Sequence, residues 1–490
     1  MTTHPRGAAS TLPHDSRAAV GTPEHESLPD RKLASRLASQ IMSDLQASQW
    51  AVGTVIGSEA ELLERYEVSR AVLREAERLL EHFGATTTKR GPGGGLIVAE
   101  PSTGAVVQAV MVYLTYTDVS LGDLMAARTC IERTVARAAT LHATEEQVNA
   151  LRQRVHTDKA RHELDANDHH VLHTMIAAAA NNPAAELFID VLGRLTARWS
   201  YPLVDASGRS EALEASARAH ELLVDAITSG NSAMAERRMN AHLTALGDWL
   251  GSNRQSPRSL EGVLEPADDL KLGTKVARLI MVDIVERGWP IGEILGSESR
   301  LIEQYGVSRA ALREAVRLLE YLRVATMKPG PRGGLIVTEP SVEPIIEAAS
   351  VFLEYRHIEA RHLIDLRIGL ESDAIALVVE RATDADIHGL RTLTADATRV
   401  HYEGSVADDL HLRIADLSGN PAIALFLRVL VHLTRLHAPG SSIPEPRRSA
   451  IHAESGHAHD GIVDAIAARD VALARRRMMK HLELMPPVLR

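Results

Sequence analysis

The sequence predicts a mainly α-helical protein made of two tandem copies of one large module. The segment GSEAELLERYEVSRAVLREAERLLEH, which starts at Gly57, returns as GSESRLIEQYGVSRAALREAVRLLEY from Gly296. A repeat of roughly 240 residues is far longer than a solenoid unit of about 20 to 50, so each copy is a multi-domain module. Aromatic residues make up only 3% of the chain, while Ala, Leu, Arg and Glu dominate, which favours helices over sheets.

The composition limits the class of protein. At 490 residues and 45% hydrophobic residues, the chain can bury several cores, and domain-size statistics give about three to four domains. Cys130 is the single cysteine, which excludes intrachain disulfides and cysteine-based zinc clusters and indicates a cytoplasmic protein. No apolar run reaches the roughly 18 residues of a membrane span. The net charge of −10 argues weakly against nucleic acid, but the local field decides binding.

Shifts in composition divide the chain into six segments. Residues 1–30 are rich in Pro, Ser, Gly and His without the apolar core of a signal peptide, which fits a disordered leader. The polar, Pro- and Gly-bearing stretch 251–269 fits a linker between the copies. The predicted heads span 31–101 and 270–340, and the predicted helical bundles span 102–250 and 341–490.

Each head begins with a helix whose apolar residues recur at helical spacing, which in the first copy are Leu33, Leu37, Ile41 and Leu45. Ser58 or Ser297 can then cap a short second helix, and Ser69 or Ser308 a third. The third helix has an apolar face opposite two arginines one turn apart, which are Arg70 and Arg74 in the first copy and Arg309 and Arg313 in the second. This order predicts a helix-turn-helix.

A small β wing is predicted after the third helix. In each copy two β-prone runs flank a basic, glycine-rich loop, which is typical of a hairpin. A phosphate-binding P-loop is the rival interpretation. It requires Gly-Lys-Ser/Thr leading into a helix, whereas this loop leads into Leu-Ile-Val, so we reject a nucleotide site.

These residues resemble the GntR superfamily of bacterial transcription regulators, whose signature has VSR, then LRE, then a glycine-rich wing. The resemblance covers both heads and implies contacts with operator DNA. The implied contact residues are Ser69, Arg70, Arg74, Lys89, Arg90, Gly94, Arg300, Ser308, Arg309, Arg313, Lys328, Arg332 and Gly333. Family members often have another arginine ten residues before the VSR arginine; Ala60 and Ser299 occupy that position here, and Arg300 can substitute in the second copy. The alternative is a solvated arginine face paired with glutamates such as Glu75 and Glu77.

The helical run of each copy resembles the FCD ligand-binding domain, the all-helical bundle of the FadR-type branch of that family. The resemblance rests on LMAARTCIERTVARAAT or LIDLRIGLESDAIALVVERAT, on LHTMIAAAANNP or LHLRIADLSGNP, and on a histidine about 22 residues before the histidine of a final AHL or KHL. We therefore expect a mainly α fold of two winged helix-turn-helix domains, each followed by an FCD-type bundle.

Histidine spacing predicts a divalent metal site, with zinc as one candidate, in each bundle. The candidate ligands are His169, His173, His220 and His242 in the first copy and His411, His459 and His481 in the second. The family places an aspartate four residues before the first histidine; here His169 and Ala407 stand there, beside Asp168 and Asp408. Direct effector contact, packing, or one vestigial pocket are the alternatives.

Arg128 and Arg367 occupy the family's R-x-x-x-E position before Glu132 and Glu371. They could face the cavity and bind a carboxylate effector through two parallel hydrogen bonds. The alternative is a salt bridge between residues four apart on the helix.

The resemblance implies a ligand-responsive, DNA-binding transcriptional regulator that is not an enzyme. We expect a cytoplasmic repressor that acts as a single-chain pseudo-dimer on a pseudo-palindromic operator, with further pairing into a homodimer of chains left open. The expected effector is a small carboxylate or acyl metabolite. The rivals are a non-DNA-binding adaptor with vestigial heads and a metal-dependent hydrolase, for which no HExxH frame supplies a glutamate.

Overall fold

The computed structural model describes residues 29–89, 91, 93–160, 166–199, 206–252, 271–330, 332–399, 406–436 and 447–485. Over these residues the chain is mainly α-helical with two small antiparallel sheets, which confirms the predicted fold class at this level. The chain divides into two compact units. The first runs to Glu81 and includes Thr87–Val98, and the second contains His82–Thr86 and everything from Ala99 onward. Both predicted bundles and the second predicted head thus belong to one unit.

The first predicted head consists of three helices and a three-stranded sheet with the order β1-β3-β2. Its elements are α1 (Pro29–Ala47), β1 (Val55–Gly57), α2 (Glu59–Tyr66), α3 (Arg70–His82), β2 (Thr86–Lys89) and β3 (Gly95–Val98). Ile41 of α1, Leu62 of α2 and Leu73 of α3 are fully buried. Leu33, expected on the apolar face of α1, is 46% exposed, although Ala34 beside it is fully buried.

The second predicted head repeats this arrangement, with the sheet order β4-β6-β5. Its elements are α11 (Leu272–Glu286), β4 (Ile294–Gly296), α12 (Glu298–Tyr305), α13 (Arg309–Tyr321), β5 (Ala325–Lys328) and β6 (Gly334–Val337). The sequence predicts the hairpin strands but not β1 and β4, which have three residues each. A strand this short has too few positions for an alternating pattern, and it forms because β3 or β6 offers an edge, as in the pairs Val55↔Ile97 and Ile294↔Ile336.

Two helical bundles complete the second unit. The first bundle contains α4 (Gly104–Tyr116), α5 (Leu121–His142), α6 (Glu145–Ala160), α7 (Ala166–Ala179), α8 (Pro183–Trp199), α9 (Ala206–Thr228) and α10 (Ser232–Ser252). The second contains α14 (Glu343–Tyr355), α15 (Ala360–Arg381), α16 (Asp384–Arg399), α17 (Val406–Leu417), α18 (Pro421–Leu436), α19 (Arg447–Ala467) and α20 (Val471–Glu483). None of the helices in the described ranges is long and apolar enough to cross a membrane.

Two boundaries differ from those expected. Helix α1 begins at Pro29, inside the predicted leader, and proline is well tolerated in the first turn of a helix because its missing N–H needs no partner there. Helix α10 continues to Ser252 and so includes the first two residues of the predicted linker. The rest of that leader and linker lies outside the described residues.

The two bundles pack together through α5, α8, α15 and α18. Phe188 and Phe426, at equivalent positions of the two copies, meet edge to face with ring centroids 5.3 Å apart. The asparagine of each repeated Asn-Pro motif bonds across to the other copy: Asn182 Nδ2 donates to the His362 carbonyl at 2.8 Å, and Asn420 Nδ2 donates to the Asp123 carbonyl at 3.2 Å. Each asparagine also caps the helix that follows it, so one side chain fixes both a helix start and the contact between copies.

Candidate ligand pockets and nucleic-acid interface

Three histidines from three helices of the first bundle meet at one buried point. His173 lies on α7, His220 on α9 and His242 on α10. Their Nε2 atoms are 3.2 Å apart for His173 and His220, 3.3 Å for His173 and His242, and 3.2 Å for His220 and His242. The three side chains are at most 6% exposed. The cluster is therefore shielded from bulk water by the helices that form it.

The second bundle repeats the cluster with His411 on α17, His459 on α19 and His481 on α20. The Nε2 atom of His481 is 3.1 Å from that of His459 and 3.3 Å from that of His411. All three side chains are buried. Within each of the two groups, the three ligand atoms lie close enough together to hold one metal ion.

The spacing of the nitrogens fits a metal. Nitrogens that bind zinc at about 2.0–2.1 Å in a tetrahedral site lie roughly 3.3 Å apart, which matches the measured separations. The three Nε2–Nε2 contacts of the first cluster cannot all be hydrogen bonds, because a given Nε2 atom either has a hydrogen to donate or a lone pair to accept with, but not both. A cation at the centre would use the lone pairs that otherwise face one another.

A buried glutamate orients the first histidine of each cluster. Glu132 Oε2 is hydrogen-bonded to His173 Nδ1, and Glu371 Oε2 to His411 Nδ1. An ionised carboxylate only accepts, so each Nδ1 carries a proton that it donates to the glutamate, and each Nε2 faces the cluster. Histidine ligands of metals commonly have such a carboxylate partner. Sequence reasoning missed this role, although the position of each glutamate on an apolar helix face was a usable signal.

The ionisation of these glutamates is set by their neighbours. Burial alone would raise the pKa of Glu132, but the Arg128 guanidinium and the His173 imidazole together outweigh it and hold the pKa well below its usual range. The same balance, with Arg367 and His411, lowers the pKa of Glu371 to about 2. Both carboxylates are therefore negative at neutral pH.

The other histidines of the clusters are neutral at neutral pH. Burial, reinforced by the neighbouring imidazoles, lowers the pKa of His242 to about 3, that of His459 to about 2 and that of His481 to about 3. The same causes place the pKa of His220 well below its ordinary value. Neutral imidazole is the form that binds metals.

Both proposed effector arginines are buried in salt bridges. Arg128 Nε donates to Glu132 Oε1 at 2.6 Å and Arg367 Nε to Glu371 Oε1 at 2.7 Å, and all four side chains are at most 2% exposed. The salt-bridge alternative is thus realised, but it uses only part of each guanidinium. Arg128 Nη2 and both Nη atoms of Arg367 have no hydrogen-bond partner among the described residues. Unsatisfied buried donors are costly, so these N–H groups could bind an anion.

The candidate for a fourth ligand in each histidine cluster lies outside the described residues. The side chains of Asp168 and His169 in the first copy, and of Ala407 and Asp408 in the second, lie outside the described residues. The structure thus brings together His173, His220 and His242, and separately His411, His459 and His481. The role of His169 as a ligand stays a prediction.

The arginine pairs lie on exposed faces of α3 and α13. Arg70 and Arg74 are 3.9 and 3.5 Å from Glu59, and their side chains are 78% and 60% exposed. Arg309 and Arg313 are 3.4 and 3.3 Å from Glu298 and are 66% and 62% exposed. Of the glutamates named in the alternative interpretation, Glu75 forms a salt bridge with Arg78 at 3.1 Å. Exposed ion pairs contribute little, so a phosphate or base could replace the glutamate.

Serine caps hold these helices in place. Ser69 Oγ accepts from the Val72 amide at 3.3 Å, and Ser308 Oγ accepts from the Ala311 amide at 3.2 Å. Arg300 lies exposed in the first turn of α12, after its capping serine. The caps thereby fix the start of each helix from which the arginine pairs project.

Most of the predicted wing residues are exposed, whereas the two wing glycines are required because a side chain would not fit at their positions. Lys89, Lys328 and Arg332 are exposed, while Arg90 lies outside the described residues. A Cβ at Gly94 would lie 2.1 Å from the Lys89 carbonyl oxygen, and one at Gly333 would lie 2.1 Å from the Lys328 carbonyl oxygen. Only glycine therefore fits at these turns.

The chain matches known families in three segments. Residues 123–245 and 362–484, together half of the chain, match the FCD domain, and residues 272–333 match bacterial regulatory proteins of the gntR family. The HTH-type transcriptional repressor NanR of Cronobacter sakazakii is 30% identical over 226 residues, which cover 43% of this chain and 83% of that relative. The chain belongs to the gntR family of bacterial regulatory proteins and contains two FCD domains.

Other members of the family match over similar lengths. The HTH-type transcriptional regulator LutR of Bacillus subtilis is 26% identical over 208 residues, or 40% of this chain and 92% of that protein. Among solved structures, Streptococcus agalactiae GntR is 24% identical with a TM-score of 0.35, covering 44% of this chain and 99% of that chain. The matched families and relatives are transcription regulators rather than enzymes, which confirms the expectation that the chain is not an enzyme.

The lowered histidine pKa values predict that acid destabilises the metal-free chain. His242, His459 and His481 stay neutral in the folded chain down to a pKa of about 2 to 3, whereas the unfolded value is near 6.5. The unfolded chain binds more protons in between, so stability that is fully present above pH 6.5 is lost as the pH falls, by about 1.4 kcal/mol per pH unit and histidine. Urea unfolding after metal removal, between about pH 7 and pH 5, measures this slope.

The control is a histidine outside the clusters. His459→Gln should flatten the pH dependence of the unfolding free energy, while substitution of the exposed His156 by Gln should leave it as in the parent chain. Equal slopes in all three proteins would contradict the assignment of the acid sensitivity to the clusters.

Proposed function

We propose that the chain is a ligand-responsive, DNA-binding transcriptional regulator of the FadR-type branch that acts as a single-chain pseudo-dimer. The observation that carries this proposal is that both copies have the same two features, an exposed arginine pair on a capped helix and a buried Glu–His cluster in an FCD domain. One copy would supply one head and one effector pocket. Two copies on one chain supply the complement that a two-fold operator requires.

The lengths of the relatives support the tandem interpretation. The matches to LutR and NanR cover 92% and 83% of those proteins but only 40% and 43% of this chain. The contacts through Asn182 and Asn420 relate the bundles as a two-fold axis would. Covalent linkage raises the effective concentration of the second head, so operator binding would not need a second chain.

The pockets favour an anionic effector. In each bundle the arginine guanidinium donates through Nε to the glutamate that binds the first histidine of the cluster. Nη donors of the same guanidinium have no partner among the described residues. A small carboxylate or acyl metabolite would satisfy these donors, with a divalent metal such as Zn²⁺ held by the three histidines. When bound, the metal would provide a Lewis-acid contact for the effector's oxygen atoms. Effector binding would alter operator affinity through the helices that the pocket and the interface share.

Repression in the cytoplasm is the mode of action that we infer. NanR, a relative at 30% identity, is named a transcriptional repressor. A fluorescence titration of selected operator DNA, with and without a panel of small carboxylates, tests the function as a whole. Sequence-specific binding that weakens with one carboxylate supports it, and no specific binding to any DNA would refute it.

A second candidate is an adaptor in which one head no longer reads DNA. It is favoured by the range of the gntR match, which covers 272–333 and not the first head. Ala60 also replaces the additional family arginine in that head. The retained arginines and Ser69 cap of the first head favour the two-headed reading.

Both heads should contribute to operator affinity. Replacing Arg309 and Arg313 by Ala, or Arg70 and Arg74 by Ala, should weaken binding, since each lost bidentate base contact costs about 1 to 3 kcal/mol. Arg78→Ala and Arg317→Ala remove equivalent arginines farther along the same two helices and serve as controls. A head whose arginine pair can be removed without loss of affinity near physiological salt does not read DNA.

One chain should suffice for one operator. Mass photometry at nanomolar concentration on the shortest DNA that retains full affinity should detect a complex with a single polypeptide. A complex that always contains two chains would refute the pseudo-dimer while leaving DNA binding intact.

Each cluster should bind one divalent metal, and the first should bind it more tightly because His169 offers a fourth nitrogen. Elemental analysis after zinc loading and desalting should detect loss of the tighter site in His173→Ala and of the weaker site in His411→Ala. The exposed His156 provides the control substitution to Ala. Metal retained by His173→Ala but lost from His411→Ala would reverse the ranking, and no metal in any form would leave the histidines as effector or packing residues.

A further inference from the structure

The two FCD domains meet along equivalent helices whose interface residues differ. Arg128 and Glu132 on α5 correspond to Arg367 and Glu371 on α15, and this register makes Cys130 equivalent to Gly369. In the same register Thr134 is equivalent to Asp373, and Arg133 to Ser372. Because the two helices are related by a pseudo-two-fold axis, the contact between α5 and α15 contains two equivalent sites. Different side chains occupy each site.

The first version of this contact is steric. A Cβ at Gly369 would lie 2.3 Å from Thr134 Oγ1 and 3.4 Å from Thr134 Cβ. Thr134 cannot easily turn away, because it is β-branched, buried, and donates to the Cys130 carbonyl at 3.1 Å. Any side chain at 369 would have to displace a packed residue of the other copy.

The second version is polar. Cys130 Sγ donates to Asp373 Oδ2 at 2.6 Å, and Arg133 Nη2 donates to the same oxygen at 3.0 Å. Arg475, from the same copy as Asp373, donates to Oδ1 at 2.9 Å. Burial, together with the Asp373 carboxylate, raises the pKa of the Cys130 thiol, which keeps it protonated as a donor. The carboxylate thus depends on two donors from the other copy.

Pairing of like copies would lose both contacts. Between two first copies, Thr134 would meet Cys130 where Gly369 now leaves room, and Arg133 would find no carboxylate. Between two second copies, Asp373 would face Gly369 and lose the donors of Cys130 and Arg133. Steric exclusion in one case and an under-satisfied, largely buried charge in the other both favour unlike pairing.

We propose that the contact between α5 and α15 is a directional interface, which accepts the other copy and rejects a second copy of the same kind. This inference rests on the proposed pairing of the two bundles within one chain. It adds that the partner is selected by the side chains themselves, so that the selection persists when the linker is cut.

The test severs the folded chain. A protease site inserted between residues 253 and 270 of the full-length protein, which lie between α10 and α11, allows cleavage after purification. Native mass spectrometry during serial dilution, without DNA, identifies the last pair to survive. An N-terminal fragment with a C-terminal fragment is the expected pair, and pairs of two N-terminal or two C-terminal fragments would overturn the proposal.

A matched pair of glycine substitutions tests the steric contact. Gly369→Ala should weaken the association of the fragments by about tenfold or more, because a methyl group is forced into a packed site. Gly389→Ala is the control, since Gly389 is also helical and a Cβ there has nothing within 4 Å. If the two substitutions have equal effects, the steric part of the proposal is wrong.

A second substitution keeps the result interpretable if Gly369→Ala folds poorly. Thr134→Ala removes Oγ1 and leaves the Thr134 Cβ position 3.4 Å from the new methyl group, so the double variant should regain the parent affinity. No recovery would count against the proposal. Because association is measured without DNA, loss of operator binding with intact unlike pairing would refute the proposed function and leave the directional interface standing.

Discussion

A fully buried carboxylate between a guanidinium and an imidazole organises each FCD domain. Glu132 and Glu371 are 0% exposed, and a lone buried charge of this kind would be very costly. Each is offset by an arginine four residues earlier on its own helix and by a histidine from another helix. Removing one partner of such a group typically costs about 3 to 5 kcal/mol, because the remaining charge stays buried. The carboxylate therefore fixes where α7 packs on α5, and with it the direction of the first histidine lone pair.

The same helix connects the pocket with the other copy. At about 100° per residue, Arg128 and Glu132 lie within about 40° of each other on α5. Cys130, Arg133 and Thr134 lie roughly 140° to 240° from Arg128 around the helix. One face of α5 thus holds the pocket and the other holds the interface with α15. A ligand that alters the position of Arg128 would act on a rigid element that also contacts the second copy. Under the proposed function, α5 would connect effector binding with the contact between the two FCD domains.

Contacts within a helix or a repeat could be predicted from the sequence, and contacts between distant elements largely could not. The serine caps and the histidine spacing are local patterns: Ser308 caps its helix, and three histidines meet in each bundle, while His169 lies outside the described residues. The Glu132–His173 bond, the Glu59 partner of the arginines and the Asp373 contacts each join residues from separate helices. Their partners depend on how helices pack, which periodicity does not specify. The bond from Asn182 to His362 is the clearest case, because the repeated Asn-Pro motif does not itself specify a partner in the other FCD domain.

The presence of two FCD domains on one chain removes a constraint that a homodimer has. In a symmetric dimer every interface residue occurs twice, so a substitution that suits one side must also suit its symmetry mate. In a fused chain the two sides are encoded separately, and Thr134 can pack on a glycine while Asp373, its equivalent, accepts from a thiol and an arginine. The residues that form the buried ionic groups stay alike in both copies, since each pocket must satisfy its own carboxylate. The interface residues can therefore differ between the two domains because each packs against the other domain. The Arg–Glu–His groups stay alike because each carboxylate is paired within its own domain.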